Sequence, residues 1–231
     1  MTFHDFIFGA YPYIAGVVFI LGSWLRFDRE QYTWKADSSQ LLSNGSMRIA
    51  SNLFHVGILA IFGGHFVGLL TPHSWFTAMG VSDIAHQYVA IYAGVIFGGM
   101  CFLGALMLTI RRLSNERVAA VSRTRDNFII IWILITVTIG LSTIPTSIGH
   151  ASHGDASVMI ALTQYVQSIA TLNPNPALLQ GVDSVFKLHM FFGMTLFLLF
   201  PFTRLVHVWS VPVGYLGRAY QVVRRKRMVM N

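Results

Sequence analysis

Charge and sulfur are what this chain has least of. Only 11% of its 231 residues are charged, against about 25% in an ordinary soluble domain, which argues against a water-soluble globular fold. Its single cysteine, Cys101, lies inside an apolar run. One cysteine excludes an intramolecular disulfide framework, a cysteine-ligated iron–sulfur cluster and a Cys-rich zinc site. No internal repeat or low-complexity tract stands out. Any redox chemistry in this chain must therefore rest on other ligands.

What is abundant is hydrocarbon. Five mostly apolar runs, at about 6–25, 48–70, 87–110, 127–148 and 184–209, account for most of the chain, and about 20 such residues cross a hydrocarbon core of roughly 30 Å as a helix. The second and fifth run slightly long, which predicts tilt. Pro12 and Pro201 fall inside the first and fifth, where each should kink or loosen its helix. The connection from Pro145 to Asp183 has room for an interfacial helix around 155–170, and the NPNP stretch at 173–176 marks a turn. Trp24, Trp75 and Trp209 fall near span ends, as aromatic anchors do.

The net charge of +7 is distributed as a topology signal rather than as a nucleic-acid footprint. Arg26, Arg29, Lys35 and Arg48 lie between spans one and two, and five arginines (111, 112, 117, 123 and 125) between three and four. Arg218 and the RRKR run at 224–227 lie in the tail, whereas the 2–3 and 4–5 connections have no Lys or Arg. Fourteen of the 16 basic residues thus fall on one side, which the positive-inside rule makes cytoplasmic. The expected fold class is an all-α integral membrane protein, a five-transmembrane-helix bundle forming one domain over 1–231. Its N-terminus is outside, and its C-terminus is in the cytoplasm with a basic tail at 213–231. The first run has no basic segment before it and reads as a retained span rather than a signal peptide.

Four of the nine histidines lie within spans: His55 and His65 in the second, His189 and His207 in the fifth. An ionisable group at such a depth marks a functional site by default; the structural alternative is an imidazole hydrogen-bonded to a neighbouring helix. The second span runs outward and the fifth returns, so His65 and His189, each about five residues from an outer helix end, can face one another. His55 and His207 are left in the inner half. In a continuous helix His189 and His207 are five turns apart on one face, about 27 Å, while His55 and His65 are separated by only about 15 Å. The inner pair therefore needs tilt or bending, which Pro201 can supply.

Opposed imidazoles can hold haem iron through both axial positions, leaving no open site and making an electron carrier. Zinc fits less well, with no third or fourth ligand at either depth. Without a C-x-x-C-H motif the haems would be noncovalent and b-type. Gly57, Gly64 and Gly68 form a small-residue stripe that serves either a flat macrocycle or plain helix packing, the habit also of Gly94 and Gly98. Arg111, Arg112 and Arg204 are candidate partners for inner-haem propionates, the first two also being ordinary inside-positive anchors. The Met residues are scattered as packing groups are.

Two blocks carry a resemblance. SNLFHVGILAIFGGHFVGLLTPH (51–73) and FKLHMFFGMTLFLLFPFTRLVHVWSVP (186–212), with GSWLRFDREQYTWKADSSQ (22–40), resemble the gamma subunit of respiratory membrane-bound nitrate reductase, a dihaem cytochrome b. The resemblance implies that His65 and His189 ligate a distal, outer haem, and His55 and His207 a proximal, inner one. It implies quinol oxidation near the outer haem, with electrons passing to an iron–sulfur beta subunit and then to a molybdenum-cofactor alpha subunit that reduces nitrate. Where family members often carry a lysine near the outer start of the third span, this chain has His86, a residue able to bond a quinol hydroxyl and take its proton. His86 and Gly64 are accordingly the expected quinol contacts, the plainer role for His86 being a solvated interfacial side chain. The RRKR tail suits either an acidic beta subunit or anionic lipid. The cell inner membrane is the expected location, and no nucleic-acid partner is expected. The rival readings are a dihaem b subunit of a sulfite- or heterodisulfide-type reductase and, from another class, a proton-relay transporter.

Overall fold

The computed structural model describes residues 2–34, 46–210 and Gly217. Lys35 and, apart from Gly217, the basic tail 213–231 with its RRKR run lie outside the described residues. Hydrocarbon leaves the backbone no water to bond, so a spanning segment satisfies its amides within itself as a helix. Every regular element among the described residues is helical. Five helices are long and apolar enough to cross a membrane: α1 (Phe3–Arg29), α2 (Met47–Leu70), α4 (Asp83–Ser114), α6 (Thr124–Ser152) and a fifth over Ser184–Phe202. Shorter helices lie between them: α3 (His73–Ala78), α5 (Glu116–Val121) and α7 (Ser157–Ala170), the last where an interfacial helix is expected.

Caps rather than the end of hydrophobicity set several boundaries, so α4 and α6 run longer than their apolar cores. Ser82 accepts from the Ala85 amide at 3.2 Å, and Asn115 caps α5 by accepting from Val118 at 3.2 Å. Arg111 and Arg112 close the last turn of α4, where cations suit the helix dipole. Helix α6 continues through Pro145 to Ser152 rather than ending near 148.

The prolines loosen their helices in different ways. Pro12 has no N–H to offer the carbonyl four residues back, Phe8. The chain responds with a π-helical turn over Phe6–Ala10, and buried Tyr165 of α7 donates its hydroxyl to the Phe8 carbonyl at 2.8 Å. At the other end, the expected fifth span of 184–209 is not one helix. The α-helix α8 covers Ser184–Leu199, a 3₁₀ turn follows over Phe200–Phe202, Thr203 is extended, and a second 3₁₀ segment covers Arg204–Ser210. Pro201 is the physical cause, because its ring and missing donor cannot continue an α-helix. His189 and His207 therefore do not share one helical face.

Helix α2 packs along α4, α4 along α6 and α6 along α8, while α1 leans on the far side of α8. The α2–α4 crossing is very close. A Cβ on Gly57 would lie 2.5 Å from the Cys101 amide nitrogen, and one on Gly104 would overlap the Phe54 backbone. Gly57 is thus a packing glycine and Cys101 a buried, free thiol. Helices α2 and α8 do not pack along one another, and the histidines lie across that interval.

Candidate cofactor-binding site

His65 near the C-terminal end of α2 and His189 in the second turn of α8, the pair on the expected outer side, face each other with ring centres 6.1 Å apart and planes at 47°. His55 of α2 and His207 of the Arg204–Ser210 segment are 6.5 Å apart at 71°. A metal ion bound on each side by an imidazole nitrogen at about 2 Å separates the ring centres by about 6 Å. Both pairs stand at that spacing. The break at Pro201 supplies the bend that the inner pair needs.

All four rings engage Nδ1 in the same way. His55 Nδ1 lies 2.7 Å from the Ser51 carbonyl, His65 Nδ1 2.9 Å from Ile61, His189 Nδ1 3.1 Å from Thr136 and His207 Nδ1 2.5 Å from Arg204. A carbonyl has no proton to give, so each Nδ1 is the donor, and in the neutral imidazole this leaves the lone pair on Nε2. Metal-binding histidines are oriented by this second hydrogen bond. Among the described residues no three His, Cys, Asp or Glu side chains gather in metal-holding geometry. Each facing pair of imidazoles presents two nitrogen donors.

Beside the outer pair lies a cavity of about 280 Å³, lined by His65 and His189, by Gly94, Gly98 and Gly140, and towards its outer end by Gln87, Ser147 and His150. Sequence reasoning missed several of these. A Cβ on Gly140 would lie 2.7 Å from Cε1 of His189, so the ring occupies the space that a larger residue would fill. Gln87 is buried and donates from Nε2 to the Ser147 carbonyl at 3.2 Å, while its Oε1 has no partner among the described residues. His150 has a carboxylate oxygen at each ring nitrogen, Asp155 and Asp183, both at 3.2 Å. This cluster joins the end of α6 to the starts of α7 and α8.

The glycine stripe of α2 splits. Gly57 packs on α4, nothing among the described residues lies within 4 Å of a Cβ at Gly64, and one at Gly68 would meet His86 Nε2 at 3.5 Å. His86 stacks on Phe76 of α3, ring centres 4.2 Å apart, and borders the α2 face that carries Gly64 and Gly68 one turn apart. Arg112 donates to Ser122 Oγ at 3.2 Å and lies 3.9 Å from the buried Asp126 carboxylate, an acidic partner that the sequence did not signal. Arg111 and Arg204 are within electrostatic range of Arg112, which gathers the three candidate arginines at the inner end.

Fold and site together define a class: a multi-pass helical membrane protein that sets imidazoles in opposed pairs, one pair towards each face. The chain belongs to the nitrate reductase gamma subunit family, whose model matches residues 4–226. It is 49% identical to the respiratory nitrate reductase 1 gamma chain of Escherichia coli K12, over 96% of this chain and 97% of that one. It is 51% identical to the respiratory nitrate reductase 2 gamma chain of the same organism, with the same coverage. The nitrate reductase gamma chain of Bacillus subtilis 168 is 33% identical over 95% of this chain and 97% of its own length. The chain is thus a multi-pass membrane subunit of a nitrate reductase complex, which sets aside the sulfite- and heterodisulfide-type alternatives.

Proposed function

We propose that this chain is the dihaem b-type cytochrome that anchors its complex, oxidising quinol on the outer side and delivering electrons to an iron–sulfur subunit for nitrate reduction. The spacing of the two histidine pairs, 6.1 and 6.5 Å, with every Nδ1 held by a carbonyl, carries this reading. His65 and His189 would hold the distal haem iron and His55 and His207 the proximal one, without covalent attachment. When bound, each haem would supply one-electron transfer.

The remaining work belongs to the chain's own groups. Ser51, Ile61, Thr136 and Arg204 fix the ring planes through their carbonyls. Arg111, Arg112 and Arg204 neutralise propionates at the inner site. His86, over the α2 face with Gly64, accepts the hydrogen bond and then the proton of a quinol hydroxyl. The N-terminus lies outside and the tail in the cytoplasm, with the cell inner membrane between. The basic inner connections and the tail meet the iron–sulfur beta subunit and anionic lipid, and the molybdenum-cofactor alpha subunit carries the nitrate chemistry.

A reduced-minus-oxidised spectrum of the purified complex, with a haem-to-protein ratio, tests the proposal. Two b-type haems per gamma chain, reduced by quinol and reoxidised on adding nitrate, are the expected result. A proton-relay transporter would give no b-type absorbance, and fewer than two haems per chain would overturn the dihaem reading.

A further inference from the structure

Helix α1 carries no candidate ligand, yet its inner end grips the segment that carries one. Arg26 Nη1 donates to the carbonyls of Pro201 and Thr203, each at 2.7 Å, and Nη2 donates to the Thr33 carbonyl at 2.9 Å. The first two carbonyls flank the break between α8 and the Arg204–Ser210 segment. In an uninterrupted helix the Pro201 carbonyl would receive the amide of Leu205. Here the Leu205 amide donates to Thr203 Oγ1 at 3.4 Å, and the guanidinium takes its place. A fork of fixed donors is the side chain best suited to hold two carbonyls at once.

The rest of that α1 face serves the same segment. One turn before Arg26, a Cβ on Gly22 would lie 2.8 Å from Cγ of Pro201, so the missing side chain makes the notch in which the proline sits. Phe19 sets its ring against Phe200 at 4.8 Å and Trp209 at 5.3 Å. Phe19, Gly22 and Arg26 thus bracket residues 200–209, and His207 lies inside the bracket. His207 is not on a continuous α-helix, so its height and ring direction against His55 depend on what holds the break. The geometry points to Arg26 as the positioning residue of His207: through the Pro201 and Thr203 carbonyls it sets the inner imidazole pair. This inference rests on the dihaem reading.

The test uses the intact complex carrying Arg26→Gln, with haem content, low-spin haem electron paramagnetic resonance and a potentiometric titration of each b centre. A shifted or lost inner-centre signal and a displaced inner midpoint potential are expected, with the outer centre unchanged. Arg26→Lys, which keeps the charge and loses the fork, should restore the inner signal only in part. Should Arg26→Gln not assemble, Arg26→Lys carries the same readout. An inner centre identical to the parent in the variant measured, or both centres altered alike, overturns the inference. A parent complex with fewer than two haems would instead overturn the dihaem reading itself.

Discussion

The two histidine pairs reach nearly the same spacing by different routes. At the outer pair both rings stand on regular α-helix, and the space around them is carved by glycines on α4 and α6. At the inner pair one ring stands on α2 and the other on a 3₁₀ segment beyond a proline break. At the outer site glycines on α4 and α6 make room and the Thr136 carbonyl holds the His189 ring. At the inner site α1 supplies both the notch at Gly22 and the guanidinium that holds the break. A site on unbroken helices inherits its geometry from packing, whereas a site beyond a break has to be held from outside. The two sites should therefore fail separately and to different classes of substitution.

Removal of a facing imidazole has the largest expected effect. His65→Ala or His189→Ala should remove the outer b centre and leave the inner one, and His55→Ala or His207→Ala should do the reverse. Haem content then falls from two to one, with quinol-dependent nitrate reduction abolished. Loss of both centres from a single substitution would show that the pairs are not independent. Next comes Gly140→Ala, whose methyl would press on the His189 ring at 2.7 Å. Overpacking of this kind costs about 1–3 kcal/mol. A changed outer-centre spectrum with a normal inner one is expected, and an unaltered outer spectrum would mean that the ring has room to move. His86→Leu should act on neither spectrum. If His86 takes the quinol proton, quinol turnover falls at least about tenfold; unchanged kinetics would reject the assignment, and Gln87→Leu would then test the cavity residue with the unpartnered oxygen.

The spans are legible in the sequence because runs of about 20 apolar residues have to satisfy their amides within themselves, so counting such residues locates all five though not their ends. The pairing of His65 with His189 followed from chain reversal alone. Other features depended on distant groups that no local pattern announces. Gly140 matters because a ring from α8 arrives beside it, and Arg26 because Pro201, far along the chain, leaves a carbonyl to be satisfied. The fifth segment misled for a related reason. Its hydrophobicity continues to Trp209 while its backbone does not, and composition cannot see where a missing amide ends a helix. Gly57 and Gly94 look alike in sequence, yet one meets a neighbouring backbone and the other lines the cavity.

The smallest expected effect concerns the ends of the molecule rather than the pairs. At the outer end Asp155 Oδ1 accepts the Ser157 amide at 2.8 Å at the start of α7, and Oδ2 faces His150. Hydrogen bonds from the Ser157 side chain and backbone, then the His150 contact, hold this carboxyl below its ordinary range. A carboxyl depressed by folding stabilises fully above its unfolded value, about 4, and the contribution is lost as pH falls through the lower folded value. The corresponding junction at the inner end uses Asn115 to cap α5, and an amide does not titrate. Hydrogen-exchange protection at the first turn of α7 should therefore decline as pH drops below about 4, while protection at the first turn of α5 stays level. Asp155→Ala should remove the pH dependence at α7 by lowering its protection above about pH 4 to the level reached in acid. Equal pH profiles at the two junctions would show that the exposed Asp155 contacts add nothing to the order of the outer end.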